Sequence, residues 1–198
     1  MNYQQLKAAI AGYAHRTDLE PMMATFVELA TNRIGRDTIL VELEKTATLT
    51  PADENTPAPL PVKFMRAISV TTPSADGAIA MEYFTPRQFA EIPNDAGQAW
   101  YYTIENNTLK VGPVSTAVAN LLYLEKPDPL VQDADTNTIL TNWLNLYLYG
   151  CLVEVWIYLQ NPVALQAVLQ VYGQEVKACN QQADAARHSG APIVMRGA

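Results

Sequence analysis

Apolar positions change their period twice along this chain. Tyr3, Leu6, Ile10 and Tyr13 recur at three- and four-residue steps, which predicts a helix over residues 3–14. In "RTDLEPMM", Asp18 is placed to cap a second helix, with Pro21 at its third position, where no intrahelical N–H bond is lost. Met22, Phe26, Leu29 and Arg33 or Ile34 carry that helix to about Arg36. The period then falls to two. In "TILVELEK", Ile39, Val41 and Leu43 alternate with Leu40, Glu42 and Glu44, the pattern of a half-buried strand. "TPADENTPAPLP" holds four prolines in twelve residues and predicts a loop or an extended edge.

"RAISVTT" and "AIAMEYF" read as strands, and "TPRQFAEI" as a short helix capped by Thr85 with Pro86 at its first position. The clearest hairpin is "AWYYTIENNTLKVGP". There Trp100, Tyr102 and Ile104 alternate with Tyr101, Thr103 and Glu105, and Asn106-Asn107 tolerates the positive φ of a tight turn. "VANLLYLEKP" supplies the next strand.

From about Thr138 the helical period returns. Between Trp143 and Leu159 only Asn145, Gly150 and Glu154 interrupt an apolar run. A membrane helix needs about 20 apolar residues, and a charge near its centre costs roughly 2.5–3.5 kcal/mol. This run is shorter, and at about 100° per residue Asn145 and Glu154 fall on nearly opposite faces. It therefore predicts a central helix surrounded by protein, with surplus apolar surface that a neighbouring subunit would cover. Glu154 should find a cation such as Arg33, Arg36 or Lys177, or face a subunit boundary. Trp143, Tyr147, Glu154 and Trp156 are the candidate interface residues. Asn161-Pro162 opens a last helix, in which Leu165, Val168, Tyr172, Val176, Cys179 and Ala183 form one face. Beyond His188, "SGAPIVMRGA" has no periodicity and reads as a flexible tail.

The fold class that follows is α+β. N- and C-terminal helices (1–37 and 128–188) build a helical bundle, an antiparallel β subdomain (38–127) is inserted between them, and a tail occupies 189–198. The 198 residues suffice for one substantial core with a smaller subdomain.

Charge and candidate chemistry narrow the function mainly by exclusion. The net charge of -7, with no Lys/Arg patch, argues against a phosphate-gripping nucleic-acid binder. Cys151 and Cys179 stand apart in apolar runs, which predicts buried, inert thiols rather than a metal site or disulfide. The N-terminus shows no basic segment followed by an apolar one, so no signal peptide is expected. "DADTN" starts like a calcium loop, but Thr138 and Leu144 stand where that loop needs Gly and Glu, so turn and cap residues are expected. "NNT" at Asn106–Thr108 is better read as the hairpin turn than as a glycosylation site. His15 and His188 sit near predicted helix ends, where a cation is favoured. No nucleophile has a visible base, and neither an enzyme nor a cofactor is expected. An alternative is a small-ligand module whose pocket is made by Trp100, Tyr101, Tyr102 and Tyr123, although such residues on strands more often pack a core.

The chain also resembles the head-to-tail adaptor (connector) proteins of tailed, mainly short-tailed, bacteriophages and prophages. The likeness runs from "LKAAIAGYAHRTDLEPMMATFVELATNRIGRD" through "LPVKFMRAISV", "MEYFTPRQFAEI" and "AWYYTIENNTLKVGP" to "TNWLNLYLYGCLVEVWIYLQNP" and "ARHSGAPIVMR". No single motif is diagnostic; their order and spacing carry it, and the proline-rich loop at 50–61 and the tail sequence depart from the pattern. The resemblance implies a structural virion protein of the neck, made in the host cytoplasm, with no membrane contact. It implies a homo-oligomer, a dodecameric ring below the portal protein, through which double-stranded DNA passes without sequence-specific binding. A downstream tail or nozzle protein would bind its outer and lower surfaces, and the C-terminal tail would dock on the portal. In that tail Ile193, Val194 and Met195 would order on a groove, with Arg196 adding a charged contact.

Overall fold

The computed structural model describes residues 1–51, 57–75, 77–92, 97–113 and 117–188. It is α+β, and the chain divides into two compact units, Met1–Leu43 with Pro127–Ala198, and Glu44–Lys126. The expected tail, 189–198, with Ile193, Val194, Met195 and Arg196, lies outside the described residues.

The first unit is a helical bundle. Helix α1 (Tyr3–Ala14) starts in a capping box, in which Asn2 accepts from the Gln5 backbone and Gln5 accepts in return. It buries Tyr3, Leu6, Ile10 and Ala14. Tyr13, expected on that face, is 55% exposed and lies edge-on to Tyr149, because Ala14 completes the four-residue step from Ile10. The chain leaves α1 through His15, whose φ of 51° is the left-handed conformation of a helix end.

Helix α2 (Met23–Asp37) does not start at Asp18 as expected. A 3-10 turn, Glu20–Met22, precedes it with no side-chain cap, because Arg16 holds the Asp18 carboxylate at 2.7 Å. That guanidinium lowers the Asp18 pKa to about 2. Pro21 falls inside the 3-10 turn, where its missing N–H leaves no bond unmade. Phe26, Val27, Ala30 and Ile34 turn inward, while Leu29 faces out.

The first expected strand is a second correction. Residues Val41–Leu43 form a 3-10 turn, and extended structure begins only at Glu44. Leu40 and Leu43 are both buried, a three-residue spacing that a 3-10 turn puts on one side and a strand would put on two. The turn is anchored from the last helix, where Asn180 accepts from the Ile39 N–H and donates to the Asp37 carbonyl.

Short helix α4 (Thr138–Asn142) is capped by Asn137, as the cap reading of "DADTN" requires, and Asp135 accepts from the backbone of Val131 and Gln132. Helix α5 (Leu144–Tyr158) is the oily segment, and it packs against α1, α2 and helix α6 (Pro162–His188). Leu146, Tyr147, Leu148, Cys151, Leu152, Val153 and Val155 are buried, so apolar residues on every side meet protein. Each such aliphatic side chain contributes about 1.5–3 kcal/mol relative to exposure. Gly150 sits where a Cβ would meet Ile34, Tyr172 and Ala30 at 3.4–3.6 Å, so α2 and α6 both approach closely there. Asn161 caps α6 by accepting from the Ala164 N–H, as expected.

The second unit holds two four-stranded sheets whose apolar residues share one core. The first is antiparallel, in the order β1 (Glu44–Leu49), β8 (Ala119–Glu125), β3 (Phe64–Ser74), β4 (Gly77–Ala80). The second runs β2 (Ala58–Pro59), β7 (Thr108–Gly112), β6 (Tyr101–Glu105), β5 (Glu82–Tyr83). Within it β5 pairs with β6 in parallel, over two residues. The proline-rich stretch supplies the edge strand β2, where proline costs no ladder bond. The expected strand "AIAMEYF" is divided between the sheets: buried Met81 separates β4 from β5. The hairpin β6–β7 turns at Asn106 and Asn107, with φ of 50° and 59°. Helix α3 (Pro86–Glu91) is capped by Thr85 as expected, and Gln88 completes a capping box with it.

Candidate assembly surfaces

The described residues hold no group of three or more His, Cys, Asp or Glu side chains that could bind a metal, and none of their helices is long and apolar enough to cross a membrane. Cys151 and Cys179 are free and buried. Burial pushes both thiols up, Cys179 to about 11 with help from the nearby Glu42 carboxylate, so both stay protonated and unreactive.

The four interface candidates divide into two pairs. Tyr147 is 1% exposed, and its hydroxyl bonds Thr31 at 2.7 Å, which fastens α5 to α2. Glu154 finds one of its expected cations: Arg33 reaches the same carboxylate oxygen through Nε at 2.8 Å and Nη2 at 2.7 Å. Both side chains thus act inside the bundle. Trp143 and Trp156 keep part of their surface open. The Trp143 indole N–H donates to Glu42 at 3.1 Å.

More apolar surface lies at the end of α5, the run in which a surplus was expected, and on the first half of α6, where a regular buried face was expected. From Val163 to Val171 no side chain of α6 is fully buried; Tyr172 is the first. Val163 is 80% and Leu169 42% exposed, and at the end of α5 Ile157 and Tyr158 are about half exposed (48% and 52%). The regular face read from Leu165 to Ala183 is real only in its second half, where Tyr172, Cys179 and Ala183 are buried. The signal that marks the first half is local: Val163 and Leu169 fall off that face in a stretch with no charge.

A second unanticipated feature is an apolar groove of about 210 Å³ in the bundle. Ile39, Val41 and Trp143 line one side, Cys179, Gln182, Ala183 and Ala186 of α6 the other, and Glu42 adds a polar group to the lining.

The aromatic residues of the second unit fill space. Tyr102 and Tyr123 belong to the core between the sheets. Tyr101 is 1% exposed, edge-on to Phe84, Phe89 and Trp100 at 4.6–5.5 Å between ring centres. Its ring lies so close to Gly112 that a Cβ there would collide with it. Trp100 is 45% exposed.

The described residues of the bundle thus combine buried thiols and one largely buried ion pair, Arg33–Glu154, with apolar surface on α5 and α6. Residues 1–196 match the family model described as SU10 adaptor protein, and the chain belongs to this family of structural phage head-to-tail adaptors. No curated protein matches the chain.

Proposed function

We propose that this protein is the subunit of a closed ring beneath the portal, joining capsid to tail at the virion neck and lining the DNA conduit. The family match over residues 1–196 carries the reading. The ring is a dodecamer in this proposal, and a downstream tail or nozzle protein binds its outer and lower surfaces. A ring needs two different, complementary faces on each subunit, since a self-complementary face would stop at a dimer. The exposed apolar part of α6 with Ile157, Tyr158 and Trp156 is suited to one such face. Tyr13 and Leu29, on α1 and α2, offer apolar surface for the other. The net charge of -7 suits a conduit: little phosphate neutralisation means little hold on DNA that must slide.

The tail is the portal contact in this reading, with Ile193, Val194 and Met195 as apolar anchors and Arg196 as the charged one. Deleting residues 189–198 should leave the circular dichroism spectrum of the folded protein unchanged while weakening its co-sedimentation with portal at least tenfold. A truncated protein that still binds portal at full strength removes the tail from the mechanism.

A further inference from the structure

The groove beside Trp143 is walled by the last turns of α6, and the chain leaves that helix at His188 towards Ile193–Arg196. Ile39, Val41 and the indole form an apolar wall, and opposite them Ala183 and Ala186 are small, with Gln182 the one long side chain of α6 in the lining. The space, about 210 Å³, is many times what a single water needs (about 10–15 Å³), so side chains can enter it. The lining residue Glu42 is exposed; its Oε1 accepts the Trp143 indole N–H, and among the described residues no cation pairs with it.

We propose that this groove is the docking site of the protein's own segment Ile193–Arg196 in the free subunit. Reach permits it. From Cys179 to His188 the helix rises roughly 13 Å, at about 1.5 Å per residue step. Five residues lead from His188 to Ile193, and extended they span up to about 17 Å, so Ile193 reaches every level of the groove. Ser189-Gly190 directly after the helix supplies the residue types that allow a reversal. Chemistry selects it too. Ile193, Val194 and Met195 are apolar and unbranched or β-branched, fitting a wall of Ile, Val and Trp, and Arg196 follows one residue later to meet Glu42. Tethering favours the segment over a free peptide, because a short linker holds it at an effective concentration in the millimolar range. The docking stands without the ring reading. Only its consequence rests on that reading: contact with the portal must first withdraw the segment from the groove.

The test is the indole N–H signal of Trp143 in nitrogen–proton correlation spectra, assigned with Trp143→Phe, with no portal present. Truncation after His188 should move that signal and leave those of Trp100 and Trp156 in place. The full-length double variant Ile193→Asp/Met195→Asp should reproduce the truncated position, and Arg196→Ala should move the signal part of the way. A synthetic peptide of residues 189–198 added to the truncated protein should restore it saturably. An unchanged Trp143 signal in both the truncated and the double-Asp protein would overturn the proposal. So would a shift that vanishes on tenfold dilution of the full-length protein, since the occupant would then be a second copy. Because portal is absent, failure here leaves the ring reading intact, and failure of portal binding leaves this docking intact.

Discussion

Replacing Arg33 by methionine probes how α5 tolerates its only charge. Glu154 has a side chain 10% exposed, and both of Arg33's contacts, at 2.7 and 2.8 Å, converge on its Oε1. Methionine keeps most of the aliphatic stem and removes the cation, leaving a carboxylate among apolar neighbours. Breaking a fully buried pair costs about 3–5 kcal/mol. Arg33 is 25% exposed, which admits some water, so Arg33→Met should cost about 2–4 kcal/mol. Glu154→Gln keeps an acceptor for Arg33 and should cost about 1–2 kcal/mol. Arg33→Met with Glu154→Leu removes both charges, and should return to within about 1 kcal/mol of the parent, because no buried polar group is then orphaned. Equilibrium urea unfolding followed by tryptophan fluorescence reads this cycle. In a Trp100→Phe background the two remaining tryptophans, Trp143 and Trp156, both report on the bundle. A loss below about 0.5 kcal/mol for Arg33→Met, or a double variant as unstable as the single, would refute the reasoning.

Gly112→Ala places a methyl group into the buried Tyr101 ring and should destabilise the β unit by about 1–3 kcal/mol, read as an earlier urea transition in Trp100 fluorescence. Gly173 lies mid-α6 with nothing within 4 Å of where a methyl group would stand, so Gly173→Ala should stabilise the bundle by about 0.5–1 kcal/mol, read by urea unfolding in the Trp100→Phe background. Burial raises the phenol of Tyr147 to about 12 and also raises that of Tyr172, which donates to Asp37. Folding thus favours their neutral forms: the stabilisation is complete below about pH 10 and is lost as pH climbs towards the folded values. Absorbance titration at alkaline pH should show these two phenols lagging the exposed ones, and Tyr147→Phe should remove one lagging group.

Much of the architecture was legible because local chemistry and tertiary need agree. Asn106-Asn107 can only be a tight turn in that context, and Thr85-Pro86 and Asn161-Pro162 are helix starts whatever surrounds them. The oily segment announced its central place, since only a helix enclosed on all sides tolerates such a sequence. The misreadings arose where two structures share one pattern. "TILVELEK" alternates, but the same leucines, Leu40 and Leu43, also sit three apart, and burial on one side decided for the 3-10 turn. Asp18 is a good cap residue with a better partner two positions away. The division of "AIAMEYF" between sheets depends on β5 joining β6 in parallel, a long-range pairing that no local signal encodes. Of the surfaces, Arg33–Glu154 was foreseeable because a charge in an apolar run demands a counter-charge. The groove was not, since it joins Ile39 and Val41 to Trp143 and Ala183 across the fold.

The ring is the central claim, and electron microscopy of the purified protein mixed with its portal tests it most directly. Closed rings of this protein seated on one side of the portal are the predicted result. Protein that stays monomeric and separate from portal particles, even at high concentration, would contradict it.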